Sequence, residues 1–139
     1  MRHEGDPGVF CVPLVVTDDD MDALGHVSNV TYVRWVQDVA RAHSEHVGYG
    51  YEAYVALGAV FVVRRHEIDY LKPAYAGDVV KLVTWVDSWA RVSSIRKTRV
   101  MRDGVELARA ATIWALVSNE SGRPCRIPAE VKRAFGVEA

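Results

Sequence analysis

The stretch DDDMDALGHVSN, residues 18–29, holds the side chains of this sequence that are best suited to acid–base or nucleophilic chemistry. Three consecutive aspartates are followed by Asp22 and then, after a short gap, by Gly25, His26 and Asn29. A carboxylate can accept a proton from water or attack an electrophilic carbon itself. The first backbone N–H groups of a helix have no partner inside the helix, so they can donate to a developing oxyanion. Because a helical pattern begins at Asn29, the stretch places a carboxylate a few residues before such donors.

Each of these residues also has an ordinary structural interpretation. Asp22 is either a catalytic carboxylate or an acid that caps the helix and is favoured by its dipole. Gly25 is either a simple turn residue or a position that needs close backbone approach or a conformation barred to other residues. His26 contacts the substrate, orients Asp22, or is a surface or interface histidine. Asn29 is either the helix cap or a polar contact to the substrate, and residues 18–20 are expected to be turn or solvated acids.

A helix that follows this stretch is predicted from Asn29 to about Val47, with Gly48 as its C-terminal cap. Its apolar residues recur at spacings of three and four, at Val30, Val33, Val36, Ala40, His43 and Val47, and are flanked by Tyr32, Trp35 and Val39. A second stripe alternates in sign and is expected to pair along an exposed face, at Thr31, Arg34, Asp38, Arg41 and Glu45. The wide apolar arc suits a helix that a curved sheet partly wraps.

The remaining chain is predicted to be mostly strands, rich in β-branched and aromatic residues. These cover residues 9–16, 59–71, 79–90, 92–101 and 105–119, and short helical pieces are expected in 49–58 and 127–135. Pro13 predicts that the first strand lies at a sheet edge or contains a bulge. Asp103-Gly104 predicts a hairpin turn. Short connections predict that the last four strands form an antiparallel meander. The fold class is therefore α+β, with one long helix on a five-stranded antiparallel sheet.

Length and composition narrow the classes of partner. The 139 residues fit a single domain, 1–139, with residues 1–8 as a loose terminus. The formal net charge of -1 and the lack of one-signed blocks argue against nucleic-acid and membrane partners. No signal peptide is read at the start, so a reduced, cytoplasmic protein with Cys11 and Cys125 free is expected. No Cys/His spacing of a zinc site occurs, so no metal is predicted.

The motif order resembles the hotdog-fold acyl-CoA thioesterases, most closely the branch of 4-hydroxybenzoyl-CoA thioesterase. That branch carries an Asp, a Gly-(His, Ile or Val)-Val step and a helical Tyr, which correspond here to Asp22, residues 25–27 and Tyr32. The stretch IDYLKPAYAGD, residues 68–78, is similar to the family's second strand and its turn. The resemblance covers roughly residues 12–128. It implies a hotdog fold, in which a five-stranded antiparallel sheet wraps around one long central helix.

The resemblance also implies site roles. Asp22 would be the nucleophile or the general base for water in thioester hydrolysis, and His26 would assist it. The N–H groups of Asn29 and Val30 are the candidate oxyanion donors. Gly25 belongs to the substrate site, and Val30 and Tyr32 line an acyl pocket unless they are ordinary core residues.

Coenzyme A binding is assigned to a basic segment of the second predicted strand. Arg64 and Arg65, with His66 beside them, are candidates for contacting its phosphates, and exposed strand charges are the alternative. The reaction needs no cofactor. The family implies a homodimer with two interface sites, often doubled to a homotetramer, and an edge strand such as 59–71 or 79–90 invites such pairing.

Other functions remain as alternatives. The step GHVSN is similar to the HVNN step of acyl carrier protein thioesterases, except that Ser28 replaces the first Asn. A hydratase of this fold pairs an Asp with a His five residues later, which neither Asp20 nor Asp22 does with His26. A non-catalytic acyl-CoA binder would not need the carboxylate. A second hotdog branch carries its acid on the long helix, where Asp38 and Glu45 are the candidates.

Overall fold

The computed structural model describes residues 2–136, which build one antiparallel sheet of five strands and three α-helices. In chain order the elements are β1 (Phe10–Val15), a 3-10 turn (Asp18–Asp20), α1 (Asn29–His46), α2 (Tyr51–Leu57), β2 (Ala59–Tyr70), β3 (Val79–Trp89), β4 (Ser93–Arg102), β5 (Val105–Ser118) and α3 (Ala129–Ala134). The strand order in the sheet is β1-β3-β4-β5-β2. The predicted α+β class, the long helix and all five strands are confirmed, with bounds within two residues of those expected.

Helix α1 is held by defined caps at both ends. At its start the side chain of Ser28 accepts a hydrogen bond from the N–H of Thr31 at 3.2 Å, so Ser28 is the N-cap. Of the two interpretations of Asn29, the structure does not support the helix cap, because Asn29 is already the first helical residue. At the far end Gly48 has a φ of +94° and its N–H donates to the carbonyl of Glu45, which confirms Gly48 as the stop.

The apolar arc of α1 faces the sheet as its spacing predicts. Tyr32, Trp35, Val36, Val39, Ala40 and His43 are buried, whereas Val30 is 78% exposed. The charged stripe is exposed at Arg34, Asp38, Arg41 and Glu45, but Thr31 is buried. The expected pairing along this stripe does not form in the described chain, because Arg34 turns to Asp20 instead.

The expected meander of four strands is wrong for one of them. β3, β4 and β5 are consecutive neighbours, and the β4–β5 turn has Asp103 and Gly104 at positive φ, as a tight hairpin turn requires. β2 instead pairs with β5 at the far edge, because β1 occupies the free edge of β3. The segment 71–78 therefore crosses from one side of the sheet to the other. Pro13 lies on β1, an edge strand, as expected.

The helices and the sheet enclose two apolar clusters. One lies under the first half of α1 and includes Tyr32, Trp35 and Leu107, and the other lies near α3 and includes Leu116 and Val131. The first cluster supports the residues that precede α1. The second borders a cavity between α2, the end of α1 and the sheet.

Residues 2–8, expected to be loose, form turns, and Glu4 pairs with Lys81 of β3. Neither Cys11 nor Cys125 is in a disulfide. In the described part of the chain, no helix is long and apolar enough to cross a membrane. Within residues 2–136, no three His, Cys, Asp or Glu residues are grouped closely enough to hold a metal ion.

Candidate active site

Asp22 lies in a short closed loop that fixes the direction of its carboxylate. The loop is closed by the N–H of Asp22, which donates to the carbonyl of His26 at 2.8 Å, and by a bridge between Met21 and Val27. Oδ1 of Asp22 accepts from the N–H of Leu24 at 2.8 Å. The side chain of Asp22 is 28% exposed, so its carboxylate is oriented by the loop and still reachable from solvent.

His26 is the second group that contacts this carboxylate. Its Nδ1 lies 3.3 Å from Oδ2 of Asp22 and 3.4 Å from the carbonyl oxygen of Val27. Both neighbours are acceptors, so Nδ1 carries a proton, and in the neutral ring Nε2 does not. Of the interpretations open for His26, the structure thus provides the contact needed to orient Asp22.

The start of α1 supplies two free backbone donors directly after this loop. The N–H of Thr31 is taken by Ser28, and that of Tyr32 donates to the carbonyl of Ser28. The N–H groups of Asn29 and Val30 have no hydrogen-bond partner among residues 2–136. Both residues are exposed. The site therefore combines an oriented carboxylate with two unpaired donors and the positive end of an 18-residue helix.

Gly25 is needed for the shape of the loop. Its φ is +86°, a conformation that other residues adopt only with strain, and a Cβ placed on it would meet nothing within 4 Å. Its N–H donates to the carbonyl of Asp22 at 3.2 Å, which closes a turn. The backbone therefore supports a turn glycine in a conformation that other residues rarely adopt.

The three consecutive aspartates are not equivalent. Asp18 and Asp19 are exposed in the 3-10 turn, as expected, but Asp20 is only 7% exposed. Its Oδ2 accepts from the N–H and the hydroxyl of Thr17, and its Oδ1 accepts from Arg34 at 2.7 Å. Asp20 therefore lies in the expected turn but is not a solvated acid, because the spacing from Thr17 forms a capping box.

The two candidates for the acyl pocket lie in different surroundings. Tyr32 is 4% exposed in the first apolar cluster, with its ring edge-on to Trp35 and Tyr70 at 5.3 Å. Burial raises the pKa of its phenol, so it stays neutral. Val30 projects from the start of α1 into solvent. Within one subunit, Tyr32 is therefore a buried core residue beneath the start of α1, while Val30 is on the surface.

The basic segment of β2 lies apart from the Asp22 loop. Arg64 sits at a β-bulge and is exposed, and Arg65 is paired with Glu67 on the surface. His66 is half-buried and bonds through Nδ1 to the hydroxyl of Thr112 at 2.9 Å, and burial lowers its pKa. Arg64 is thus the one of these three whose side chain has no such contact within residues 2–136.

One feature that the sequence did not reveal is a cavity of about 370 Å³ toward the other end of α1. It is lined mainly by aromatic and apolar side chains and contains the buried Arg96 of β4. Neither Asp38 nor the Asp22 loop lines it, whereas Glu45 is one of its lining residues. Arg96 was missed because β4 carries polar residues on both of its faces, so the sequence does not show which face is buried.

Comparison with known proteins gives the family. Residues 16–135 match the thioesterase-like superfamily, which is most of the chain and includes the Asp22 loop. The acyl-CoA thioester hydrolase YbgC of Escherichia coli is 24% identical over 128 residues, 91% of this chain and 96% of that protein. The oleoyl-acyl carrier protein thioesterase 2 of Arabidopsis thaliana is 26% identical over 114 residues. This alignment covers 76% of the chain but only 31% of the plant enzyme, so the chain spans about a third of that relative.

A solved structure shares the fold of this chain. The 1,4-dihydroxy-2-naphthoyl-CoA thioesterase Slr0204 from Synechocystis superposes with a TM-score of 0.83 at 15% identity, over 91% of this chain and 95% of that one. At this identity the likeness shows the fold, and it confirms the predicted hotdog arrangement. The family match and the shared fold together establish that the chain belongs to the thioesterase-like superfamily and is a hotdog-fold thioester hydrolase.

Proposed function

We propose that the protein hydrolyses an acyl-CoA to the free acid and coenzyme A, with Asp22 as the catalytic carboxylate. One observation carries this proposal: Asp22 is held by Leu24 and His26 directly before the unpaired N–H groups of Asn29 and Val30. Coenzyme A as the carrier is supported by the relatives named acyl-CoA thioesterases, which match over nearly their full length.

The mechanism needs the thioester carbonyl carbon near Asp22 and its oxygen near the two N–H groups. In one route Asp22 takes a proton from water, whose oxygen attacks the carbon. In the other, a carboxylate oxygen attacks and forms an anhydride that water then opens. In both routes the thiolate of coenzyme A leaves and acquires a proton, while Asn29 and Val30 stabilise the oxyanion. His26 keeps the carboxylate in one orientation.

Arg64 and Arg65 are assigned to the phosphates of coenzyme A in this proposal. Guanidinium groups form strong, charge-assisted hydrogen bonds with phosphate. Arg64 is free to do so, whereas Arg65 must exchange its contact with Glu67. Both side chains are exposed, so a phosphate can bind them by displacing water, without breaking a buried contact.

The proposal includes a homodimer formed through β2, which two such dimers can extend to a homotetramer. The outer edge of β2 has no strand partner in residues 2–136, and it carries partly exposed apolar side chains at Val60, Val62 and Tyr70. An unpaired edge of this kind favours pairing with a second copy. A two-fold axis makes such pairing antiparallel, so the last residues of one β2 lie beside the first residues of the other.

This arrangement has a consequence for the site. The Asp22 loop lies near the end of β2, since the N–H of Val27 bonds to the carbonyl of Ala74 and Tyr32 contacts Tyr70. In the proposed dimer that loop faces the first residues of the other copy's β2. Those residues include Val60 and Phe61, which line the 370 Å³ cavity. The acyl group would therefore extend from one subunit's Asp22 toward the other subunit's cavity.

The test measures release of free thiol from a panel of acyl-CoAs by the wild type and by Asp22→Asn. Loss of the carboxylate should lower kcat by about 100-fold or more, because a positioned base contributes that much. Asp19→Asn is the matched control, since Asp19 is exposed in the neighbouring turn. An Asp22→Asn protein with full activity would contradict the assignment and redirect attention to Asp38 and Glu45. A wild type that binds acyl-CoAs tightly but hydrolyses none would favour the binding protein.

A separate measurement addresses the dimer. Val62→Lys places a charge on the outer edge of β2. In gel filtration the variant should elute as smaller species than the dimer or tetramer of the wild type. Lys on an exposed strand position has little effect on the fold itself, which circular dichroism checks. A wild type that elutes as a stable monomer would contradict the proposed assembly.

A further inference from the structure

Arg96 is a buried cation without an acidic partner. It projects from β4 into the space between the sheet and α1, is 5% exposed and lines the 370 Å³ cavity. No carboxylate of residues 2–136 lies within ion-pair distance of it. Burying an unpaired charge is costly, so proteins usually supply a counter-charge. Burial lowers the pKa of Arg96 to about 10, which still leaves it protonated at neutral pH.

The hydrogen bonds of Arg96 leave much of its guanidinium unused. Nη1 donates to Nδ1 of His43 at 2.8 Å and to the hydroxyl of Thr84 at 3.1 Å. Cζ of Arg96 lies 5.6 Å from the centroid of the Phe135 ring. Both hydrogen bonds that the described residues offer involve Nη1. A guanidinium carries five N–H donors, so Nε and Nη2 remain to bind a planar acceptor side by side.

Two tryptophans give the same cavity aromatic walls. Trp89 and Trp114 both line it, and their indole N–H groups are buried without a partner among the described residues. Because these N–H groups are enclosed by protein and not exposed to the cavity, the two side chains offer a ligand their ring surfaces. The donors for an anionic group therefore come from Arg96.

The rest of the lining combines apolar and hydrogen-bonded side chains with exposed polar residues of α1, namely Gln37, Arg41 and Glu45. Phe61, Val86 and Phe135 contribute apolar surface. Ser44 contacts both the carbonyl of Tyr49 and the hydroxyl of Tyr54 at 2.7 Å, so these groups are occupied. A ligand that fits this lining has an apolar or aromatic body and a compact anionic group that accepts several hydrogen bonds.

We propose that this cavity binds organic carboxylates, with Arg96 holding the carboxylate and the rings of Trp89 and Trp114 packing against the apolar body of the same ligand. Two sources share this chemistry. One is a carboxyl group at the far end of the acyl chain of the substrate, and this source rests on the proposed acyl-CoA hydrolysis. The other is a free carboxylic acid that binds independently of catalysis.

The first experiment measures binding to the full chain and does not depend on hydrolysis. Benzoate and hexanoate are compared with benzamide and hexanamide by calorimetry, with the intrinsic tryptophan fluorescence of the protein as a second readout. Charge-assisted hydrogen bonds predict that each acid binds about 10-fold or more tightly than its amide. Arg96→Met should abolish that preference, whereas Arg91→Met, at an exposed arginine before β4, should keep it.

The outcomes decide the proposal either way. Equal affinity for acids and amides, no binding of either, or an unchanged preference in Arg96→Met would overturn it. If Arg96→Met does not fold, Arg96→Lys keeps the positive charge and removes the side-by-side donors of the guanidinium, and it should weaken acid binding about 3-fold or more. Unchanged acid binding by Arg96→Lys would then count against the site. Asp22→Asn should bind the acids like the wild type, which separates this site from the catalytic assignment.

The second experiment distinguishes the two sources by comparing hydrolysis of adipoyl-CoA and hexanoyl-CoA, whose acyl chains are equally long. A kcat/KM about 10-fold or more higher for adipoyl-CoA, lost in Arg96→Met, identifies the distal carboxyl group as the ligand. Acid binding without a preference between the two substrates identifies a free carboxylate as the ligand. If neither substrate is hydrolysed, the proposed function fails, and the binding measurements alone decide whether the cavity holds carboxylates.

Discussion

Nη2 of Arg34 lies 2.7 Å from Oδ1 of Asp20, and this ion pair ties helix α1 to the turn that precedes the Asp22 loop. The backbone carbonyl of Asp20 also accepts from the N–H of Ser28 and from the hydroxyl of Thr31. Asp20 is therefore the residue that joins the turn to the start of the helix. Among residues 2–136, the carboxylate of Asp22, two positions later, makes polar contacts only within its own loop, so the two acids should respond differently to substitution.

Asp20→Asn should destabilise the protein by about 1–3 kcal/mol, because it removes the charge from a buried, fully hydrogen-bonded carboxylate. Urea unfolding measures this, and Asp22→Asn under the same conditions should change the free energy of unfolding by less. The double variant with Arg34→Met should cost less than the sum of the two single changes, since both remove one ion pair. Additive costs would show that the Asp20–Arg34 contact does not contribute to stability.

Gly25→Ala should lower both stability and activity. A side chain at a φ of +86° costs about 1–2 kcal/mol of backbone strain, which the loop can relieve only by shifting Asp22. Gly122 is a matched control, because it has a φ of +70° and, like Gly25, open space around its missing Cβ. Both alanine variants should lose similar stability in urea, and only Gly25→Ala should lose kcat. Equal kcat losses in both would show that the effect is global and not local to the loop.

The sequence predicts α1 and the strand positions because both follow from local periodicity. The three- and four-residue spacing along 29–47 and the turn at Asp103-Gly104 are satisfied within their own segments. The neighbour of β2 is not fixed in this way. The residue pattern of β2 is compatible with pairing to either β3 or β5. β1 occupies the edge of β3, so β2 pairs with β5.

The site shows the same division. The loop around Asp22 and Gly25 follows from residue types that turn the chain and precede a helix, so it was predictable. The capping spacing between Thr17 and Asp20 was present in the sequence, but its partner Arg34 is set by the docking of α1. Arg96 had no local signal, because its burial depends on which face of β4 the helix covers.

Acidification should destabilise the protein through His43. Burial and the neighbouring Arg96 lower the pKa of His43 from its ordinary 6.5 to about 3. Between these values the unfolded chain binds a proton that the folded protein does not, so stability falls as pH drops from 6.5 toward 3. Urea unfolding should show a smaller loss of stability for His43→Gln than for the wild type between about pH 7 and about pH 4.5.

His3→Gln is the control for this pH dependence, because His3 is exposed. Its stability should fall with pH as the wild type's does. Gln at position 43 retains an acceptor for Nη1 of Arg96, so the variant tests the titration of the ring and not the loss of the hydrogen bond. A His43→Gln protein with an unchanged slope between the two pH values would assign the acid sensitivity to other groups.

The route taken by Asp22 can be read from the first turnover in water labelled with heavy oxygen. If Asp22 attacks the thioester, water opening the anhydride at Asp22 leaves label in its carboxylate, and hydroxylamine traps the anhydride. If Asp22 activates water, the label enters only the acid product and nothing is trapped. Mass spectrometry of the peptide that spans residues 18–29 locates the label. Label on Asp19 or Asp20 instead of Asp22 would contradict the assignment of the catalytic carboxylate, whichever route is used.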